Sequence, residues 1–141
     1  MTAIERLTYT EQIKTLKARY FRTVDTRDWA AFAAVFTPSA TLEVIRTDGE
    51  TVKSSGADAI VSRVEEFLRG AQSVHHGFTP EINIHSPYSA SGIWAMEDLL
   101  SWSDRRLHGF GHYHEQYVRE PEQSEWRIGY CRLVRARLDW T

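Results

Sequence analysis

Gly109-Phe110-Gly111-His112-Tyr113-His114-Glu115-Gln116-Tyr117 reads as a β-strand, and a strand's period of two puts Phe110, His112 and His114 on one face. Two imidazoles beside an apolar ring suggest either a proton-transfer pocket or a metal site. Around this stretch lies a series of long strands, at about 72–85, 89–102, 108–119 and 125–138. Turn-prone Ser86-Pro87, the polar run Ser103-Asp104-Arg105-Arg106, and Glu120-Pro121-Glu122-Gln123 separate them.

Upstream the period changes. From Thr8 to about Val24, Ile13, Leu16, Tyr20 and Val24 recur at helical spacing, while Lys14, Lys17 and Arg19 fall mainly elsewhere, and Thr8 with Glu11 has capping-box spacing. Thr26-Arg27-Asp28 opens a second helix whose apolar face is Trp29, Phe32, Ala33 and Phe36, stopped by Pro38. Residues 40–47 read as a strand and Thr47-Asp48-Gly49-Glu50 as a turn. Ser55 to about Arg69 reads as a third helix ending at Gly70. Three helices in the first half and a succession of strands after them predict one α+β domain over residues 1–141, with the helices packed on one face of a curved antiparallel sheet.

Composition narrows the function classes. Seventeen Lys and Arg against 19 Asp and Glu give a net charge of −2, so no positive field recruits nucleic acid or an anionic membrane. No stretch approaches the roughly 20 apolar residues of a membrane span, and the first residues have no signal-peptide pattern. The expectation is a soluble cytoplasmic protein. The single cysteine, Cys131, is read as a small core residue. Five Trp, six Tyr and six Phe are a generous supply for a core or for lining an apolar cavity.

The residues able to do acid-base chemistry are His75-His76 in an extended segment, His112 and His114, and Asp25 at the corner between the first two helices. His75 and His76 face opposite ways in a regular strand, so one of them enters a shared cavity. Asp25 has two readings. It caps the second helix, or it orients a histidine and stabilises its cationic form. A cupin-like metal set fails on spacing, because the position expected for the carboxylate is Arg119. A set of His75, His114 and Asp25 remains geometrically open. Phosphate loops, Cys-x-x-Cys pairs and Gly-x-Ser-x-Gly elbows are absent.

The order Tyr20-(four residues)-Asp25, Arg27-Asp28-Trp29, Phe36-Thr37-Pro38, Val74-His75, Thr79-Pro80-Glu81-Ile82, Gly92-Ile93-Trp94-Ala95, Tyr113-His114-Glu115-Gln116-Tyr117, Trp126-Arg127-Ile128 and Arg135-Ala136-Arg137 resembles the SnoaL-like branch of the nuclear transport factor 2-like superfamily. The pattern is most similar to its scytalone dehydratase and bile acid dehydratase group. That resemblance implies a cone-shaped α+β barrel, a strongly bent antiparallel sheet around an apolar cavity closed by the helices.

Carried over by motif, it implies Asp25, His75, His114 and Tyr20 as catalytic residues. Arg135, Phe110, His112 and Trp29 are the candidate substrate-binding residues, with Arg137 as the alternative to Arg135. The implied activity is a dehydratase-like lyase that eliminates water from a small hydrophobic hydroxy-carbonyl compound, polyketide- or steroid-like, without metal or other cofactor. Isomerisation or cyclisation in the same cavity, or small-molecule binding without catalysis, are the alternatives. A homodimer or homotrimer is expected, since the outer sheet face needs cover. Trp94, Met96 and Trp102 are candidates for that surface.

Overall fold

The computed structural model of the chain describes residues 1–123 and 125–141. Helix α1 (Ala3–Asp25) begins at a capping box in which Thr2 accepts from the Glu5 backbone and Glu5 from the Thr2 backbone. The spacing of Thr8 and Glu11 suggested a later start, but Thr8 instead hydrogen-bonds back to the Ile4 carbonyl. The inward stripe of α1 is Ile13, Leu16, Lys17, Tyr20 and Val24. Lys17 is thus on the apolar face, contrary to the sequence reading.

Helix α2 (Trp29–Ala34) is capped by Asp28, whose side chain accepts from the Ala31 N–H at 3.2 Å. Asp25 is therefore released from the capping role. Phe36 and Pro38 lie in strand β1 (Phe36–Ile45) and not in a longer α2, with Phe36 still buried in the core. A short strand unseen in the sequence, β2 (Thr51–Ser55), pairs with β1 across the Asp48-Gly49 turn. Helix α3 (Ala57–Phe67) follows, entered through Gly56 at φ 92° without a side-chain cap.

Strands β3 (Gln72–Ser86), β4 (Ser89–Ser101), β5 (Arg106–Val118) and β6 (Arg127–Trp140) then form an antiparallel meander. The sheet order is β2-β1-β6-β5-β4-β3. Because α3 carries the chain to the far edge before the meander returns, β6 arrives beside β1 running in the same direction. The sheet is consequently mixed, with one parallel pairing where an antiparallel sheet was expected.

Bulges give the curl. One lies between Phe78 and Glu81 on β3, where Thr79 has φ 43° and Pro80 occupies an edge strand. Others shift the β5–β6 register between Phe110 and Gly111 and between Gln116 and Tyr117. The result is a cone with the three helices packed on a curled, unclosed sheet. Its interior is filled by Tyr20, Phe32, Phe36, Trp94, Met96, Tyr113, Tyr117 and Cys131. Trp94 and Met96 are thus core residues and not outer cover, and Trp102 closes one end, stacked at 6.0 Å on Trp140. Among the described residues no helix is long and apolar enough to cross a membrane.

Candidate active site

Helix α1 ends in a turn that aims Asp25 at the start of β3. Arg27 adopts φ 61°, its N–H reaches the Val24 carbonyl at 3.3 Å, and the Asp28 N–H reaches the Thr23 carbonyl at 2.9 Å. This is a Schellman closure with arginine in the left-handed position usually given to glycine. The side chain offsets the strain. Its Nη1 donates to the Val24 carbonyl at 2.8 Å and to Ser73 Oγ at 2.7 Å, and Nη2 donates to the Ala71 carbonyl at 2.5 Å.

Asp25 is saturated by β3. Its Oδ1 accepts from Ser73 Oγ at 2.9 Å and from His75 Nδ1 at 2.7 Å, and its Oδ2 accepts from the His75 backbone N–H at 2.8 Å. Burial raises the carboxyl's pKa, but the bonds from the His75 side chain and backbone outweigh it, so the net shift is below the usual carboxylate range. An ionised Asp25 is acceptor-only, which assigns a proton to Nδ1 of His75, so that in the neutral ring the lone pair is on Nε2.

His75, 11% exposed, directs Nε2 inward to 3.9 Å from Asp98 Oδ2. Asp98 is 1% exposed and holds Arg135 in a bidentate pair, both bonds 2.7 Å. The two partners sit on β4 and β6, with β5 between them, so the arginine must cross β5. It does so because Gly109 and Gly111 put no side chains on the inner face there. A Cβ at Gly109 would collide with Asp98 Oδ1 and Arg135 Nη1.

Next on the same inward row is Tyr113. Burial first, and then the Asp98 charge, push its phenol well up, and burial followed by Tyr113 does the same to Tyr20. The Arg135 charge is stabilised by Asp98, which outweighs burial. The two phenols are neutral hydroxyls, suited to donate hydrogen bonds and unsuited to act as bases.

The structure brings Asp25, His75, Arg135 and Tyr20 to one side of the sheet, and it does not bring His114 there. The inward set of β5 is Leu107, Gly109, Gly111, Tyr113, Glu115 and Tyr117, so Phe110, His112 and His114 all face outward. Period two put the three together correctly, but on the other face. His114 instead borders an outer groove of about 310 Å³ with Glu81, Asn83, Ser91 and Gln116. A shared His75–His114–Asp25 site is therefore excluded by the sheet itself.

His112 is exposed opposite Ala95, and Phe110 stacks with His108 at 4.4 Å. Trp29 packs on Phe32 at 6.0 Å, with the Arg27 guanidinium 5.9 Å from its ring, so it supports the Arg27 turn. The β5–β6 bulge separates Arg135 from Arg137, which is exposed and paired with Asp139. Asp98, Tyr113, Ser73 and Arg27 escaped the sequence reading. The available signal was Gly109-x-Gly111, which removes two side chains from one face.

The sequence matches the SnoaL-like domain over residues 5–132. The chain belongs to the SnoaL-like domain family. It is 27% identical over 140 residues to "Probable cyclase FGR4" of Gibberella zeae, covering 91% of this chain and 90% of that protein. Among solved structures it is similar to a scytalone dehydratase-like protein of Novosphingobium aromaticivorans, with a TM-score of 0.87 at 15% identity, covering 98% of this chain and 91% of the other. It is also similar to hexachlorocyclohexane dehydrochlorinase LinA-type3 of Novosphingobium barchaimii, with a TM-score of 0.84 at 17% identity, covering 99% and 94%. At these identities the structural likenesses establish the cone fold alone.

Proposed function

We propose that this SnoaL-like protein is a cofactor-independent lyase that eliminates water from a small hydrophobic hydroxy-carbonyl compound, with His75 as the base. The observation that carries the reading is the His75 imidazole itself. Its Nδ1 is locked by Asp25 at 2.7 Å, and its Nε2 points at the buried Asp98–Arg135 pair. A base so held keeps one tautomer and one aim, and general acid-base groups contribute about 10² to 10⁴ in rate.

In this mechanism Nε2 takes the proton adjacent to the substrate carbonyl. Asp25 and Asp98, on either side of the ring, stabilise the imidazolium. The enolate oxygen is met by the neutral donors Tyr113 and Tyr20 and by the positive end of the Arg135 pair. The carbon–oxygen bond then breaks, and the imidazolium returns its proton to the departing hydroxyl as water. His75 thus serves both proton transfers, because His114 lies outside the cone. Relatives whose names carry dehydratase and dehydrochlorinase, both eliminations that begin at a C–H bond, support the class.

The relative named as a cyclase favours a second reading, in which the same base forms the enolate and a new bond or a shifted double bond follows without loss of water. Product mass separates the two. Incubation with β-hydroxy ketones on six-membered and fused bicyclic rings should give products lighter by one water, whereas a product of unchanged mass in ordinary water that gains deuterium in heavy water assigns isomerase or cyclase chemistry.

Self-association as a dimer or trimer is proposed through the outer sheet face, where Val74, Phe78, Ile93 and Leu99 are exposed. Sedimentation at micromolar concentration tests it, and a monomer there would refute it.

A further inference from the structure

Beneath the His75 site the cone holds a second polar assembly. Lys17, on α1, is fully buried and donates to Glu115 Oε2 at 2.9 Å, both side chains having no exposure. Glu115 Oε1 accepts from the Tyr117 hydroxyl at 2.8 Å, and that hydroxyl accepts from Trp94 Nε1 at 2.9 Å. The Lys17 ammonium lies 3.7 Å from the centroid of the Tyr20 ring and 3.6 Å from that of Tyr113, with Phe21 at 4.9 Å. The two tyrosine rings meet nearly edge to face, 5.8 Å apart at 75°.

Stability alone does not account for this arrangement. A buried ion pair is often matched or bettered by apolar residues of the same volume. Its position is specific, however. Glu115 is two residues beyond Tyr113 on the inward row of β5, and Lys17 is one helical turn before Tyr20. The pair therefore grips the Tyr20 and Tyr113 rings through the Lys17 ammonium.

We propose that Lys17 is a positioning residue: anchored by Glu115 and seated between the faces of Tyr20 and Tyr113, its ammonium fixes the direction of the two hydroxyls serving the His75 site. The ammonium satisfies one hydrogen bond at Glu115 and is otherwise held by the ring quadrupoles, so turning either ring costs it a partner. Asp98–Arg135 holds the substrate side of the site and Lys17–Glu115 the rear. The inference rests on the lyase reading for its catalytic meaning and on geometry alone for the clamp.

The test uses the double substitution Lys17→Met with Glu115→Gln, which removes both charges and keeps side-chain length, in protein carrying ¹³C-labelled tyrosine. The expected result is a folded protein whose Tyr20 and Tyr113 ring resonances shift and whose ring edges average through faster flipping, while those of Tyr9 and Tyr88 stay unmoved. On a β-hydroxy ketone that the wild type converts, kcat should fall at least tenfold with KM within twofold.

If the double variant does not fold, Tyr117→Phe, which removes the hydroxyl that donates to Glu115 and accepts from Trp94, should give the same pattern at smaller amplitude. Unmoved Tyr20 and Tyr113 resonances in a folded variant would overturn the clamp, as would an unchanged kcat. A wild type that converts none of the ketones contradicts the lyase reading, and the tyrosine resonances then decide the role of Lys17 by themselves.

Discussion

Asp25 holds His75 twice, through Nδ1 of the ring at 2.7 Å and through the backbone N–H at 2.8 Å, so the orientation of the imidazole is tied to the register of β3. A last-turn helical carboxylate and an edge strand thus become one rigid unit. Ser73 and Arg27 extend it, since Arg27 donates to Ser73, and Ser73 to Asp25.

The pH response follows from the sign of the Asp25 shift. Its folded-state pKa lies below the unfolded value, so its contribution to stability is full above the unfolded pKa and is lost as pH falls through the folded one. Asp25→Asn should therefore flatten the acid limb of a stability-against-pH curve below the usual carboxylate range. Urea midpoints taken from neutral pH downward measure it, and an identical acid limb in the variant would refute the assignment.

Arg27→Gly separates backbone from side chain. Glycine relieves the left-handed conformation by roughly 1 kcal/mol, but three donor contacts disappear, each contributing about 0.5–1.5 kcal/mol. A net loss of about 2 kcal/mol in chemical denaturation is expected. A stabilised variant would show that the guanidinium holds nothing.

Gly109→Ala places a methyl between Asp98 and Arg135, which cannot both keep their positions. Overpacking typically costs about 1–3 kcal/mol. The melting temperature should drop accordingly, and a melting temperature equal to wild type would mean that the pair has another route across β5.

The fold and part of the candidate site were legible in the amino-acid pattern, for identifiable reasons. Helix α1, α3 and the meander announce themselves by periodicity, and Asp25 and His75 by their places at a helix end and a strand start. The face of β5 was not legible. Alternation says that His112 and His114 share a side, but which side is inside depends on Tyr113 packing against Tyr20 and Phe21 of α1, a tertiary fact. The Asp98–Arg135 pair was hidden because its partners are 37 residues apart and joined across an intervening strand. Lys17 was hidden because a lysine in an amphipathic helix is ordinarily assigned to the wet face, and here Glu115 and two aromatic rings receive it.

His114→Ala should be silent for stability. The side chain is part-exposed on the outer face, bordering a groove and no buried polar partner, so the change should stay within about 0.5 kcal/mol in denaturant unfolding. A larger loss would indicate that the outer groove has a structural role.

The most direct measurement of the account is the turnover of His75→Ala beside that of His114→Ala, on a ring β-hydroxy ketone that the wild type converts, with product mass followed by chromatography. A single-histidine site requires His75→Ala to lose about 10²-fold or more while His114→Ala stays within twofold, the product being lighter by one water. Comparable losses in the two variants, or wild-type turnover in His75→Ala, would contradict it.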